Sequence, residues 1–199
     1  MNPMKVPDLL PTPRLLLRGP RPGDTAEFHT AFVESLPALR PWFTWATFTP
    51  TLETSAAFVE NSHGGFQDRH QLDWFLFLQN TQTFIGVVSL HSAGTMFMDW
   101  SRATQLLSYW LRTGYTGHGY MTEAVSVIVD LAFALANINR LEIHCNVANT
   151  RSAAVAKRLG FVYQSTVPDG ATFDDVYMLE QAQWAMRQTG ATQGGAEKQ

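Results

Sequence analysis

Apolar positions along the chain change period several times, and each change predicts an element. Leu15, Leu16 and Leu17 stand between arginines as a first strand. Gly23 and Asp24 then start an amphipathic helix in which Phe28, Phe32, Val33 and Leu36 recur at helical spacing, and Pro37 and Pro41 are expected to close it. Over residues 42–50, Trp42, Phe43, Trp45 and Phe48 fall among threonines without a clean period, and a short helix is expected over about residues 52–61. Together they read as a lid over a pocket. Two aromatic or β-branched runs, 73–79 and 83–90, flank the turn Asn80-Thr81-Gln82 and predict a hairpin, with 105–111 as the next strand.

The second half is more regular. Met121, Ala124, Val125, Ile128, Ala132 and Leu135 mark one buried face of a helix ending near Asn137. Leu141, Ile143, Cys145 and Val147 then alternate with Glu142, His144 and Asn146, which is the period of a strand with one buried face. Asn149 is a good cap for a helix beginning at Thr150, and Gly160 is placed to stop it. A final strand pair flanks Pro168-Asp169-Gly170. Residues 1–188 read as a single domain, and 189–199 as a small, polar, disordered tail.

Composition narrows the class. With 199 residues and 45% hydrophobic content, one ordinary core can be buried. The formal charge of −3 supplies no broad basic surface, so neither direct nucleic-acid binding nor attraction to an anionic membrane is expected. A basic protein substrate would still be attracted. A single cysteine, Cys145, excludes an internal disulfide, and the absence of a long apolar run or leader-like segment gives a cytoplasmic expectation. No metal site is expected.

The chemistry concentrates after residue 108, where Tyr109-Trp110-Leu111-Arg112-Thr113-Gly114-Tyr115-Thr116-Gly117-His118-Gly119-Tyr120-Met121-Thr122-Glu123 carries a strand into a glycine turn and a helix. Glycines permit a tight turn in which several N–H groups converge at the positive end of the helix, suited to a pyrophosphate. About 30 residues on, after another strand, comes Asn149-Thr150-Arg151-Ser152-Ala153-Ala154-Val155-Ala156-Lys157-Arg158-Leu159-Gly160-Phe161.

These two segments together resemble the acetyl-CoA site of the GNAT acetyltransferases, and specifically the Rim-type branch that acetylates the N-termini of ribosomal proteins. The resemblance extends to Arg14-Leu15-Leu16-Leu17-Arg18, Arg21-Pro22-Gly23-Asp24, Leu39-Arg40-Pro41-Trp42 and Asp174-Asp175-Val176-Tyr177-Met178-Leu179. It implies an α/β GNAT fold with a mixed, mostly antiparallel sheet whose splayed strands hold acetyl-CoA. It also implies pantetheine contacts at Trp110, Leu111 and Arg112, and a phosphate cradle at Thr116, Gly117, His118, Gly119, Tyr120, Met121 and Thr122. Asn149 would contact the pantetheine amide as well as cap its helix. Ser152 would protonate the departing CoA thiolate, or serve only as a second cap, and Lys157 or Arg158 would meet the 3′-phosphate unless both are solvated charges. Trp42 and Trp45 would line the acceptor groove or simply fill the lid.

Two departures stand out. Gly114 occupies the place of the superfamily's long polar residue, and Leu106-Leu107-Ser108 lacks the acidic residue and glycine that the branch carries before its Tyr-Trp pair. An attacking amine must lose a proton, and Glu142, facing away from Leu141 and Ile143, is the expected base, with His144 and His91 as alternatives. Cys145 reads as core, and a covalent acetyl-cysteine is not expected. The favoured acceptor is a protein N-terminal amine. A small amine such as an aminoacyl compound or antibiotic, and a non-catalytic acyl-CoA sensor, remain open, as does a homodimer.

Overall fold

The computed structural model describes residues 6–135 and 137–193. Among them, eight strands form one sheet: β1 (Leu9–Pro11), β2 (Leu15–Arg18), β3 (Leu72–Leu78), β4 (Phe84–His91), β5 (Thr104–Leu111), β6 (Arg140–Asn146), β7 (Val162–Asp169) and β8 (Thr172–Glu180). Their order is β1-β2-β3-β4-β5-β6-β8-β7. Every pairing is antiparallel except β5 with β6. The helices are α1 (Thr25–Leu39), α2 (Leu52–Gln67), α3 (Tyr120–Ala134), α4 (Thr150–Leu159) and α5 (Gln181–Gln193). This is the mixed, mostly antiparallel sheet flanked by helices that the resemblance implied.

The central strands β3 and β4 are covered on both faces, so their sequences are continuous apolar runs rather than alternations. On one face, Phe28 of α1 stacks on Phe75 (5.5 Å between centroids) and meets Phe84 and Trp110 edge-on. On the other, Val125, Ile128 and Val129 of α3 join Leu15, Leu17, Leu76, Val88, Leu107, Leu141 and Ile143. Asp73 is buried beside the aromatic core, where its carboxylate accepts from Ser62 Oγ (2.9 Å), Ser89 Oγ (2.5 Å) and Gln71 Nε2 (2.7 Å). Three donors answer the cost of burying that group. In the β3–β4 pair the register shifts between Leu76, opposite Gly86, and Phe77, opposite Phe84. A Cβ on Gly86 would lie 2.4 Å from the Trp110 carbonyl oxygen, so glycine lets β5 pass closely here.

Several boundaries differ from the sequence reading. Pro37 lies inside α1, because Leu36 and Leu39 are both buried and Arg40 N–H still reaches Leu36 O at 2.9 Å. One lost backbone donor near a helix end costs less than exposing those side chains. Helix α2 runs on to Gln67, anchored by buried Val59 and Phe66. Helix α3 stops at Ala134, where Leu135 turns extended. Of the tail expected over residues 189–199, residues 189–193 belong to α5, and 194–199 lie outside the described ones. Buried Trp184 holds α5 in place, donating from Nε1 to Asp130 Oδ1 at 2.6 Å.

Candidate active site

The parallel ladder between β5 and β6 is short: Thr104, Gln105 and Leu106 stand opposite Arg140, Leu141 and Glu142, and there it ends. Both strands continue, β5 to Leu111 and β6 to Asn146, without pairing to each other. Between them opens a cleft of about 1180 Å³, with Tyr109, Trp110 and Leu111 on one wall and Ile143, Cys145 and Asn146 on the other. Such a volume exceeds the usual ~300–1,000 Å³ of small-ligand pockets. Main-chain groups along the gap are free to hydrogen-bond an extended ligand as a strand would.

One end of the cleft is the glycine turn. Gly119, in the left-handed region at φ 78°, is the N-cap of the 15-residue α3. Gly117 has φ 83°, and a Cβ built on it would meet nothing within 4 Å. The space above it is therefore open, at the positive pole of a helix and against free N–H groups, an arrangement fitted to phosphate. Of the residues expected at a phosphate cradle, Thr116, Gly117, Gly119, Tyr120, Met121 and Thr122 border the cleft. His118 does not. Its ring packs 5.7 Å from that of Tyr120 and its carbonyl accepts from Arg14 Nη1 at 2.9 Å.

Arg14 is a member of the site that the sequence reading missed. Its guanidinium lines the cleft, lies 4.6 Å from the Tyr120 ring centroid and donates from Nε to Glu123 Oε2 at 2.6 Å. A cation thus stands beside the cradle, although the turn's own long polar residue is replaced by Gly114. Burial alone would raise the Glu123 pKa, but donation from Thr12 and Arg14 outweighs it and the carboxyl is held below its ordinary value. Arg112, expected at the pantetheine, and Lys157, expected at the 3′-phosphate, do not line the cleft: the Arg112 side chain pairs with Glu34 (2.5 Å), and Lys157 Nζ sits 5.7 Å from the Tyr177 ring centroid. Arg151 and Arg158 of α4 line the cleft instead.

Midway along the cleft three polar side chains meet. Asn149 Oδ1 caps α4 by accepting from Ser152 N–H (3.1 Å), which fixes the first turn and with it the Ser152 hydroxyl. Ser152 Oγ lies 3.0 Å from the Tyr109 hydroxyl. Burial pushes the Tyr109 pKa well up, so the phenol stays neutral and steadies Ser152 rather than surrendering its own proton. Cys145 is buried next to them. Desolvation, helped by Asp174 and Asp175, raises its pKa despite a hydrogen bond with Ser152, which keeps the thiol protonated and a poor nucleophile.

On the far wall, Glu142 Oε2 accepts from His144 Nε2 at 2.8 Å. His144 lines the cleft, while Glu142, the expected base, does not and touches it only through the imidazole. A carboxylate is acceptor-only, so Nε2 carries a hydrogen and, in the neutral ring, Nδ1 presents a lone pair. Asp174 and Asp169 also line this wall, and burial followed by repulsion from Asp169 raises the Asp174 pKa. Sequence spacing could not bring these two residues of the β7–β8 hairpin to β6; the register Asn146 opposite Asp174 does so. Trp42 borders the cleft and is partly exposed, while the side chain of Trp45 lies outside what is described. Among the described residues, no group of three or more His, Cys, Asp or Glu side chains is placed to hold a metal. No helix among them is long and apolar enough to cross a membrane.

Comparison with known proteins gives the family and the fold. The sequence profile of a family described as an acetyltransferase (GNAT) domain matches residues 14–162. The chain is 31% identical over 85 residues to YdaF of Bacillus subtilis, whose name places it among ribosomal N-acetyltransferases, covering 43% of this chain and 44% of that one. It is 25% identical to a ribosomal-protein-serine acetyltransferase of Escherichia coli, over 55% of this chain and 73% of the relative. Among solved structures, a RimL ribosomal L7/L12 alpha-N-protein acetyltransferase in complex with coenzyme A superposes with TM-score 0.78 at 20% identity, covering 86% of this chain and 97% of that one. The microcin C7 self-immunity acetyltransferase MccE, in complex with acetyl-CoA and AMP, gives 0.76 at 22% identity, covering 85% and 93%.

Proposed function

The chain belongs to the GNAT acetyltransferase family, and on that premise we propose that it transfers an acetyl group from acetyl-CoA to the α-amine of a protein N-terminus, of the kind ribosomal proteins present. The observation that carries this reading is the unpaired gap between β5 and β6, which runs from the glycine-capped start of α3 past the Ser152–Tyr109 pair to His144. When bound, acetyl-CoA supplies an acetyl group activated as a thioester. Thr116, Gly117, Gly119 and the first turn of α3 would hold its pyrophosphate, with Arg14 as counter-charge, and Arg158 is placed better than Lys157 for a further phosphate.

The residues divide the proton traffic between the two walls. An ammonium has no lone pair, so the acceptor first gives a proton to His144, whose positive charge Glu142 offsets. The amine nitrogen then forms its bond to the acyl carbon as the carbon–sulfur bond breaks, Ser152 donates its proton to the departing sulfur, and the second nitrogen proton returns to Ser152. Tyr109 keeps the Ser152 hydroxyl aimed, and the peptide N–H groups of the unpaired strands are available to the carbonyl oxygen. Neighbouring acids, Asp169 and Asp174, give the entrance a negative field that suits a cationic N-terminal segment.

The test is acceptor-dependent turnover of labelled acetyl-CoA with peptides bearing free N-terminal serine or alanine, compared with small aminoacyl amines. Transfer to peptides supports the proposal. Transfer only to small amines would replace the acceptor and make Trp42 a stacking surface for it, and CoA binding without turnover on any amine would leave a sensor.

A further inference from the structure

The mechanism so far does not use a buried histidine whose hydrogen-bond partners fix its tautomer. His91, at the end of β4, is 8% exposed. Its Nδ1 lies 2.8 Å from the Thr95 carbonyl oxygen and 3.3 Å from that of Ser92. Carbonyls only accept, so Nδ1 carries the hydrogen, and in the neutral ring Nε2 is a bare lone pair. That lone pair faces Ser108 Oγ at 3.2 Å. The Ser108 hydroxyl hydrogen is thereby committed to His91.

Ser108 lies on the cleft wall. Since Leu106 stands opposite Glu142 where the β5–β6 ladder ends, Ser108 and His144 follow two residues further along each strand, on the same face of the sheet. A second support lies behind: Ser89, paired in register with Ser108, has its own hydroxyl fixed on Asp73 at 2.5 Å and cannot donate to Ser108 as well. The oxygen of Ser108 therefore presents lone pairs, and no hydrogen, to the cleft. We infer that Ser108 accepts an N–H of the incoming amine and orients it toward the thioester, and that His91 is a positioning residue that holds the hydroxyl in this acceptor state.

The inference rests on the acetyl-transfer reading above and deepens it toward a primary amine. A primary ammonium that has given one proton to His144 keeps two N–H bonds. One passes to Ser152, replacing the proton given to sulfur as the new carbon–nitrogen bond matures, and the other persists as the amide N–H, which Ser108 can hold throughout. An N-methylated amine keeps only one, which must leave. The orienting hydrogen bond is then missing in the product-like half of the reaction.

Initial rates with labelled acetyl-CoA should be compared for a serine-terminated peptide and its N-methyl form. Ser108→Ala is expected to lower kcat/KM for the primary amine about 10-fold, leave KM for acetyl-CoA unchanged, and shrink the preference over the N-methyl peptide. Ser108→Thr, which keeps the hydroxyl, should retain most activity. His91→Asn keeps a donor toward Thr95 but removes the Nε2 acceptor, and it should reproduce the Ser108→Ala loss without adding to it in the double variant. Unchanged acceptor kinetics and preference in folded Ser108→Ala, or additive losses in the double variant, would overturn the inference. Transfer by the wild-type protein to no amine at all would overturn the underlying reading as well, and the wild-type control distinguishes the two failures.

Discussion

At the scale of single residues, the clearest question is whether a helix-capping position also does chemistry. Ser152 gives its N–H to the Asn149 cap, while its hydroxyl meets that of Tyr109 at the cleft wall. Ser152→Ala is expected to lower kcat about 10²-fold with little change in KM for acetyl-CoA, because donation to sulfur matters only as the bond breaks. Asn149→Ala should instead lower stability by about 1 kcal/mol, read from thermal or denaturant unfolding, and disturb Ser152 indirectly. Gly117→Val tests the cradle: its backbone is left-handed and the space above it empty, so calorimetry should show sharply weaker CoA binding in a folded protein. Unchanged CoA affinity in that variant would move the phosphate site elsewhere.

At the scale of elements, Gly86, beside the register shift between Leu76 and Phe77, lets the Trp110 carbonyl of β5 come close to β4. Gly86→Ala should lower the melting temperature and CoA affinity together, since the clash is with the backbone of the strand that forms the cleft wall. Melting unchanged with CoA affinity intact would show that β5 can shift freely. Elements with a clear period or cap were legible in the sequence: β6 by alternation, α3 by its apolar stripe, α4 by Asn149 and Gly160. Strand β1 was not, being three residues ending in proline, and α5 was not, because Trp184 is its only buried side chain among those described. The glycine turn before α3 was legible because its signature is local. Arg14 beside it, and Asp174 beside His144, depend on strand register and on pairing across long stretches of chain.

At the scale of the whole molecule, one such long-range tie joins the start of the sheet to the cradle: Thr12 and Arg14 both hold Glu123, across 111 and 109 residues. Because the Glu123 pKa is depressed in the folded protein, its contribution is present above the ordinary carboxylate range and is lost as pH falls through the lowered folded value. Melting temperature followed from pH 7 into the acid range should decline in that window, and Glu123→Gln should flatten this part of the curve. The unfinished ladder between β5 and β6 has a consequence of another kind. A sheet interrupted at its centre has two interior edges, so the free protein is two half-sheets hinged on three residue pairs, and a ligand lying in the gap completes it as a missing rung. Hydrogen exchange should register this directly. Alternate amides in 107–111 and 143–146, those turned toward the gap, should exchange readily in the free protein and slow when CoA binds, while amides in the closed ladder change little.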